Sequence, residues 1–389
     1  MTYPTHKRNM VFAAACIGML LFGIVMISIG SILPSISVKL NLDEAQQGVI
    51  ATMLPLGILI GSVFFGPIVD RFGYKLLLMV SSLFIIAGLE GIGYASVPWM
   101  VEVSILMIAI AGGVINGATN ALGSDISADD KSANLSLLGV FYGIGALCMP
   151  LALSSLKVFL PSETIIKCVG AFVVIPFIYF VLIRFPEPKQ TQGIPVTAYL
   201  KLVKEKILLL FGFVLFFQSA VEGLINNWST SYLKIYIGEE KALLTLMAIP
   251  VAMTVTRLVF GIILRKINPA TVLVFSILIA ILGAIILKFA DTQLLATISL
   301  ALFGVGLAAG FPVILSYIGQ IYASMSGTAF SIALVIALTG NTLLNYLTGI
   351  ATQRMGIEIL PYILTGALAS LLLMFIFAKK QSTQVLSKK

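Results

Sequence analysis

Glu222 is the only acidic residue near the middle of any apolar run in this sequence. Gln218 lies four residues before it and Asn226 four residues after. On an α-helix this spacing puts the three side chains roughly on one face, drifting about 40° per step. A carboxylate at mid-membrane depth costs several kcal/mol unless it faces a cavity or a partner. Two chemistries suit such a group. It can accept hydrogen bonds from a hydroxyl-bearing solute, or it can hold a transferable proton. The neighbouring amides could bond either protonation state, because Gln and Asn both donate and accept. The stretch continues through Asn227 and Trp228, one of only two tryptophans. An indole there can stack on a ligand ring or anchor a helix at the membrane interface.

The elements that position these residues are spanning helices. Of the 389 residues, 59% are hydrophobic and 10% are charged, against about 25% charged in soluble domains. With a mean hydropathy of +1.08, a water-soluble globular fold is excluded. The formal charge of +8 is not a nucleic-acid footprint, since Lys and Arg fall in short gaps between apolar runs rather than forming a face. Cys16, Cys148 and Cys168 are scattered, and His6 is the single histidine. They give no metal spacing and no disulfide framework. No cofactor, no metal and no enzymatic activity is expected. The first apolar run is too long for a cleavable signal peptide.

A spanning helix needs about 20 apolar residues, and twelve candidates satisfy this. They are helix 1 (Met10–Val38), helix 2 (Ala45–Val69), helix 3 (Leu76–Ala95), helix 4 (Trp99–Gly123), helix 5 (Asn134–Val158), helix 6 (Ile165–Phe185), helix 7 (Ile207–Tyr232), helix 8 (Leu243–Leu264), helix 9 (Thr271–Ala290), helix 10 (Leu294–Ile318), helix 11 (Ser326–Thr352) and helix 12 (Ile359–Phe377). A linker at 186–203, with Pro186, Pro188 and Pro195, separates an N-terminal six-helix bundle (1–185) from a C-terminal one (204–389). Bases in the loops divide sixteen to seven between the two sides. The positive-inside rule then places both termini and the linker in the cytoplasm, and the cell (inner) membrane is the expected location.

The two halves repeat weakly. Gly66-Pro-Ile-Val-Asp70-Arg71-Phe-Gly73-Tyr-Lys75 joins helices 2 and 3, and Gly261-Ile-Ile-Leu-Arg265-Lys266 joins helices 8 and 9. Gly143 and Gly340 match at nearly the same offset. Such parallel repeats of six-helix halves occur in one large transporter class. The Gly66–Lys75 segment resembles the loop 2–3 signature G-x-x-x-D-R-x-G-x-[RK] of the major facilitator superfamily. Physically, Gly66 allows close helix approach, Asp70 can accept a helix N-terminus or an arginine, and Gly73 permits a tight turn. Gly66, Asp70, Arg71, Gly73 and Lys75 are therefore expected to be structural or gating residues.

A finer resemblance is to the fucose–galactose–proton symporter family. Helix 7 is similar in its acid followed by Asn and a hydroxyl-rich exit, Arg257-Leu-Val-Phe-Gly261 is similar in helix 8, and Gly310-Phe-Pro312 in helix 10. The sequence departs from that family at two places. Ile17–Pro34 carries no acid, and Asn116 stands where a helix 4 Glu can occur.

The resemblance implies that helices 1, 4, 7 and 10 line a central cavity. Independently, intramembrane amides concentrate at Asn116 and Asn120, at Gln218, Asn226 and Asn227, and at Asn341 and Asn345. The helix 4 and helix 11 pairs are spaced by four, hence on one face each. Membrane amides often simply join helices, but a clustered set with little charge suits a neutral, hydroxyl-rich ligand. Tyr142 and Tyr317 are further candidates. Arg257 lies about 10 Å from the cytoplasmic end of helix 8, and Glu222 about 22 Å from that of helix 7, at 1.5 Å per residue. That offset argues against a direct pair and for structural or gating use of Arg257.

The expectation is an all-α membrane protein of twelve helices in two bundles, working by alternating access. The leading activity is uptake of a neutral monosaccharide or close derivative, as symport or uniport, with Glu222 holding sugar hydroxyls, carrying the coupling proton, or both. The expected partners are the small-molecule substrate, protons and membrane lipid, with no nucleic acid, and the chain is expected to be monomeric. Drug or cation efflux, facilitative uniport and anion exchange are the alternatives. Efflux is disfavoured because Gly139–Pro150 lacks the G-x-x-x-G-P-x-x-G-G pattern of helix 5.

Overall fold

The computed structural model describes residues 5–127, 130–156, 158–190 and 201–386. Residues 191–200 of the expected linker lie outside that set. Among the described residues, twelve helices are long and apolar enough to span a membrane. They are α1 (Arg8–Leu40), α2 (Glu44–Phe72), α3 (Tyr74–Gly93), α4 (Pro98–Ile126), α5 (Lys131–Leu156) and α6 (Ser162–Leu182), then α7 (Lys206–Ile237), α8 (Glu239–Ile263), α9 (Pro269–Leu287), α10 (Gln293–Ile321), α11 (Ala323–Met355) and α12 (Ile357–Ser382). The all-α, twelve-span architecture expected from the hydropathy pattern is what the chain adopts.

Local sequence explains where helices start, stop and break. Asp43 opens α2 with a capping box: its Oδ1 accepts the Gln46 N–H at 2.7 Å, and its own N–H donates to Gln46 Oε1 at 3.1 Å. Gly73 ends α2 and opens α3 with φ 81°, a region closed to most L side chains. Three spans are interrupted: α6 at Val173, α8 at Met247, and α10 at Ala308 and Ala309. Each break lies just before a proline, namely Pro176, Pro250 or Pro312. Proline has no N–H for the carbonyl four residues back, and its ring clashes there.

The chain divides into two compact units. The first comprises Met1–Ile126, Phe141–Pro195 and Ser324–Ser331; the second comprises Ser127–Val140, Val196–Ala323 and Ile332–Lys389. They cut across the 1–185 and 204–389 division at two places: the start of α5 belongs to the second unit, and the start of α11 to the first.

Within each unit, glycines let helix backbones touch. In the first, a Cβ on Gly145 of α5 would collide with the Leu20 carbonyl of α1. In the second, a Cβ on Gly340 of α11 would collide with the Phe216 carbonyl of α7. These are the same contact in two halves. The packing makes Gly145, rather than Gly143, the counterpart of Gly340, in register with the Gly66 and Gly261 loops. Helix association in lipid depends on such close van der Waals approach, because hydrocarbon supplies no hydrophobic drive.

Candidate functional site

The second unit gathers most of the sequence-predicted polar residues on α7 and α11. Close approach is set by Gly340 against Phe216 and by Gly223, whose missing side chain leaves room for the Asn341 amide. One turn farther along, Asn227 Nδ2 and Trp228 Nε1 both donate to Asn345 Oδ1 at 3.0 Å. Asn345 Nδ2 in turn donates to Asn341 Oδ1 at 2.7 Å and to its carbonyl at 2.9 Å. Asn341, Asn345 and Trp228 are half-buried and Asn227 is exposed. The result is a chain of amides and an indole with polar atoms still open to a ligand.

Glu222 lies on the same helix and is half-buried. No donor among the described residues bonds its carboxylate. Its backbone carbonyl accepts Asn226 Nδ2 at 2.7 Å, so that exposed amide folds back onto its own helix. The structure thus spreads the Gln218, Glu222 and Asn226 face from interior to surface. Gln218 is only 1% exposed. Its Nε2 donates to the Leu307 carbonyl at 3.0 Å, beside the break in α10. The amide lies flat against Gly310, where an added Cβ would sit 2.6 Å from Nε2. The Gly310-Phe-Pro312 segment is therefore the place where α10 breaks and admits the α7 glutamine.

Arg257 of α8 is 7% exposed. Its Nη1 donates to the Gly139 carbonyl at 3.4 Å, and its own carbonyl accepts Ser136 Oγ at 2.9 Å. It is built into the start of α5. Tyr317 packs among aromatics: its ring stacks on Phe211 at 5.5 Å and meets the edge of Phe375 at 6.4 Å.

In the first unit, Asn116 is half-buried and Asn120 is buried. Asn120 Nδ2 donates to the Asn116 carbonyl at 2.8 Å and to its Oδ1 at 3.1 Å. Asn116 is left as the outward member of the pair. Tyr142 lies beside Phe22, ring centroids 5.4 Å apart.

The loop signature forms a separate network in the first unit. Asp70 is 2% exposed and accepts three hydrogen bonds from the first turn of α11. The donors are Gly327 N at 3.2 Å, Thr328 N at 2.9 Å and Thr328 Oγ1 at 2.7 Å. A carboxylate at a helix N-terminus satisfies N–H groups that no intrahelical carbonyl reaches, and it meets the positive end of the dipole. Gly66 makes this possible, since a Cβ there would lie 2.6 Å from the Gly327 carbonyl. Lys75 Nζ donates to the Val181 carbonyl near the end of α6 at 2.6 Å, while Arg71 is exposed and lies over the Phe72 ring.

Sequence reasoning missed part of this network. Asp125, at the end of α4, pairs with Lys189 at 2.7 Å, accepts Ser326 Oγ at 2.8 Å and is bonded by the Tyr74 hydroxyl. Gln190 N donates to the Asp70 carbonyl at 2.9 Å. The first linker residues are thus tied to the Asp125 carboxylate and to the main chain at Asp70. In the second unit, Arg265 occupies Asp70's place in the repeat and meets Asp130 at 3.5 Å and Asn134 Oδ1 at 3.2 Å, at the start of α5.

The E. coli fucose:proton symporter FucP superposes with a TM-score of 0.81 at 18% identity, covering 96% of this chain and 99% of that one. The proton:xylose symporter XylE superposes at 0.81 with 13% identity, covering 97% and 96%. At these identities the likeness is one of fold. A D-xylose transporter of Levilactobacillus brevis is 27% identical over 132 residues, 34% of this chain, which spans 29% of that relative's length. A family model described as the Major Facilitator Superfamily matches residues 15–337, and the chain belongs to that superfamily as a multi-pass membrane transporter.

Proposed function

We propose that this transporter takes up a neutral monosaccharide or close derivative by alternating access, with a proton as coupling ion and Glu222 as its carrier. The observation that carries the reading is the α7–α11 chain in which Asn227 and Trp228 bond Asn345, and Asn345 bonds Asn341, on the same helix as Glu222, whose carboxylate no donor among the described residues bonds. Amides that donate and accept match sugar hydroxyls, and the indole can stack on a sugar ring. Organic anions would need a cation in the set, and Arg257 is instead engaged with the start of α5. The names of FucP, XylE and the L. brevis relative support the same solute class. In this reading Asn116, with Asn120 behind it, also contacts the solute. Asp70, Arg71, Lys75 and Arg257 serve conformational change, and the bundles 1–185 and 204–389 are its moving halves.

A thermal-shift screen tests the substrate class. Ligand at 100 times its Kd stabilises the folded state by about 2.7 kcal/mol. L-fucose, D-xylose and other monosaccharides should raise the melting temperature, and amines and organic acids should not. Asn341→Ala and Asn116→Ala should each weaken binding about tenfold, the equivalent of one good hydrogen bond. Interhelical amide bonds in membranes average only about 0.6 kcal/mol, so both variants should fold. Stabilisation by amines or acids with none by sugars would overturn the reading.

The reading also places both termini in the cytoplasm, with the protein in the cell membrane as a monomer. In a background with Cys16, Cys148 and Cys168 replaced, Glu240→Cys should react with an impermeant thiol reagent in intact cells and Gln381→Cys should not. Labelling of Gln381→Cys from outside would reverse the topology.

A further inference from the structure

The second unit contains a buried acceptor without a donor. Gln218 Oε1 has no hydrogen-bond partner among the described residues, although the residue is 1% exposed and lies in the middle of a membrane span. The other end of the same amide is committed, because Nε2 donates to the Leu307 carbonyl at 3.0 Å. Turning the amide over would set oxygen against oxygen at Leu307 and lose that bond. Leaving a buried acceptor without a donor is costly, so a donor is expected at some stage of the protein's working cycle.

Helix geometry offers a group that can become that donor. Glu222 is one helical turn after Gln218, and residues four apart on a helix are neighbours. Helical side chains lean back over the preceding turn, which directs the Glu222 carboxyl toward Gln218. An ionised carboxylate only accepts; a protonated one has a single O–H to give. On α8, the buried charged group is Arg257, which is engaged with the start of α5. On its own helix, Asn226 is already bonded to the Glu222 backbone.

We propose that Gln218 is the positioning residue that reads the protonation state of Glu222: the protonated carboxyl donates to Gln218 Oε1, and the amide passes that state to the break in α10 through Leu307. This rests on the proton-coupling part of the reading above, not on the identity of the solute. When Glu222 takes a proton from solvent, the orphaned oxygen gains its donor and the amide is held at both ends. When the proton leaves, two acceptors face each other and the grip on Leu307 weakens. Gly310 is what allows the contact, since a Cβ there would displace the amide. The α10 break, with Ala308 deprived of its helical donor by Pro312, is the element in this unit best able to shift in response.

The test needs no solute. Infrared difference spectra of the full-length protein in lipid, between acid and alkaline pH, should contain a protonated-carboxyl C=O band that vanishes in Glu222→Gln. In Gln218→Met, which keeps the volume and removes the amide, that band should move to higher frequency, as a carboxyl losing its acceptor does. Gly310→Ala should move it the same way, and supplies a second variant if Gln218→Met folds poorly. A Glu222 band at one frequency in wild type, Gln218→Met and Gly310→Ala would overturn the inference. If wild type shows no Glu222 band at any pH, the inference falls together with proton coupling. The sugar screen would be untouched by either result, so the two failures are distinguishable.

Discussion

Replacing Glu222 with glutamine should abolish uphill accumulation of solute while leaving exchange within about threefold of wild type, a margin set by one modest hydrogen bond. Glutamine keeps the shape of the protonated carboxyl but cannot bind or release a proton. A driving ion can bias a carrier only through its different affinity for the carrier's states. A residue fixed in one state transmits no drive. No rival acid stands at comparable depth, since Ile17–Pro34 has none and Asn116 fills the helix 4 position. The amide at 222 can still donate toward Gln218, so the site should keep the geometry of its protonated form. Uptake of labelled solute under an imposed proton gradient, set beside counterflow without one, separates the two functions. Undiminished accumulation in Glu222→Gln would move the coupling group elsewhere.

Asp70→Asn should slow transport at least about tenfold and leave equilibrium solute binding within about threefold, on the scale of 1.4 kcal/mol per factor of ten. Asp70 accepts three hydrogen bonds from Gly327 and Thr328. Bonds to a charged acceptor are worth about 1.5–3 kcal/mol each, and the helix dipole adds about 0.3–1 kcal/mol or somewhat more when partly buried. Asparagine keeps one acceptor, loses the charge and turns an NH2 toward the α11 N–H groups. The packed arrangement of the α11 start is then disfavoured by a few kcal/mol, and a cycle that must pass through it slows. Transport rate and solute affinity measured on the same preparation decide the matter. Loss of binding in well-folded Asp70→Asn would make Asp70 part of the solute site rather than a latch.

The twelve spans were legible because hydropathy alone demands them, and the loop signature because Gly66, Gly73 and Asp70 each meet a local geometric need. The breaks in α6, α8 and α10 are legible in retrospect from Pro176, Pro250 and Pro312. They are not certain from sequence, since Pro55 and Pro67 in α2 and Pro150 in α5 are carried without interruption. The α11 amides were found through their spacing of four. Their link to Asn227 and Trp228 was not, because it depends on the close approach at Gly223 and Gly340. Gln218 looked like a cavity residue because a 40° drift per step seemed small. In the structure that drift is enough to bury it against Gly310. Nothing in the sequence alone marks Asp125 and Lys189, and only the fold brings both to Ser326. The grouping of the α5 start with the second unit and the α11 start with the first has no counterpart in hydropathy at all.

The central claim is that solute entry carries a proton on Glu222. Its most direct test is proton movement triggered by monosaccharide addition, followed with a pH indicator in sealed vesicles containing wild type or Glu222→Gln. The account predicts sugar-dependent proton uptake in wild type and none in Glu222→Gln, with sugar exchange retained in both. Equal proton flux in the two proteins, or none in a wild type that transports the sugar, would contradict it.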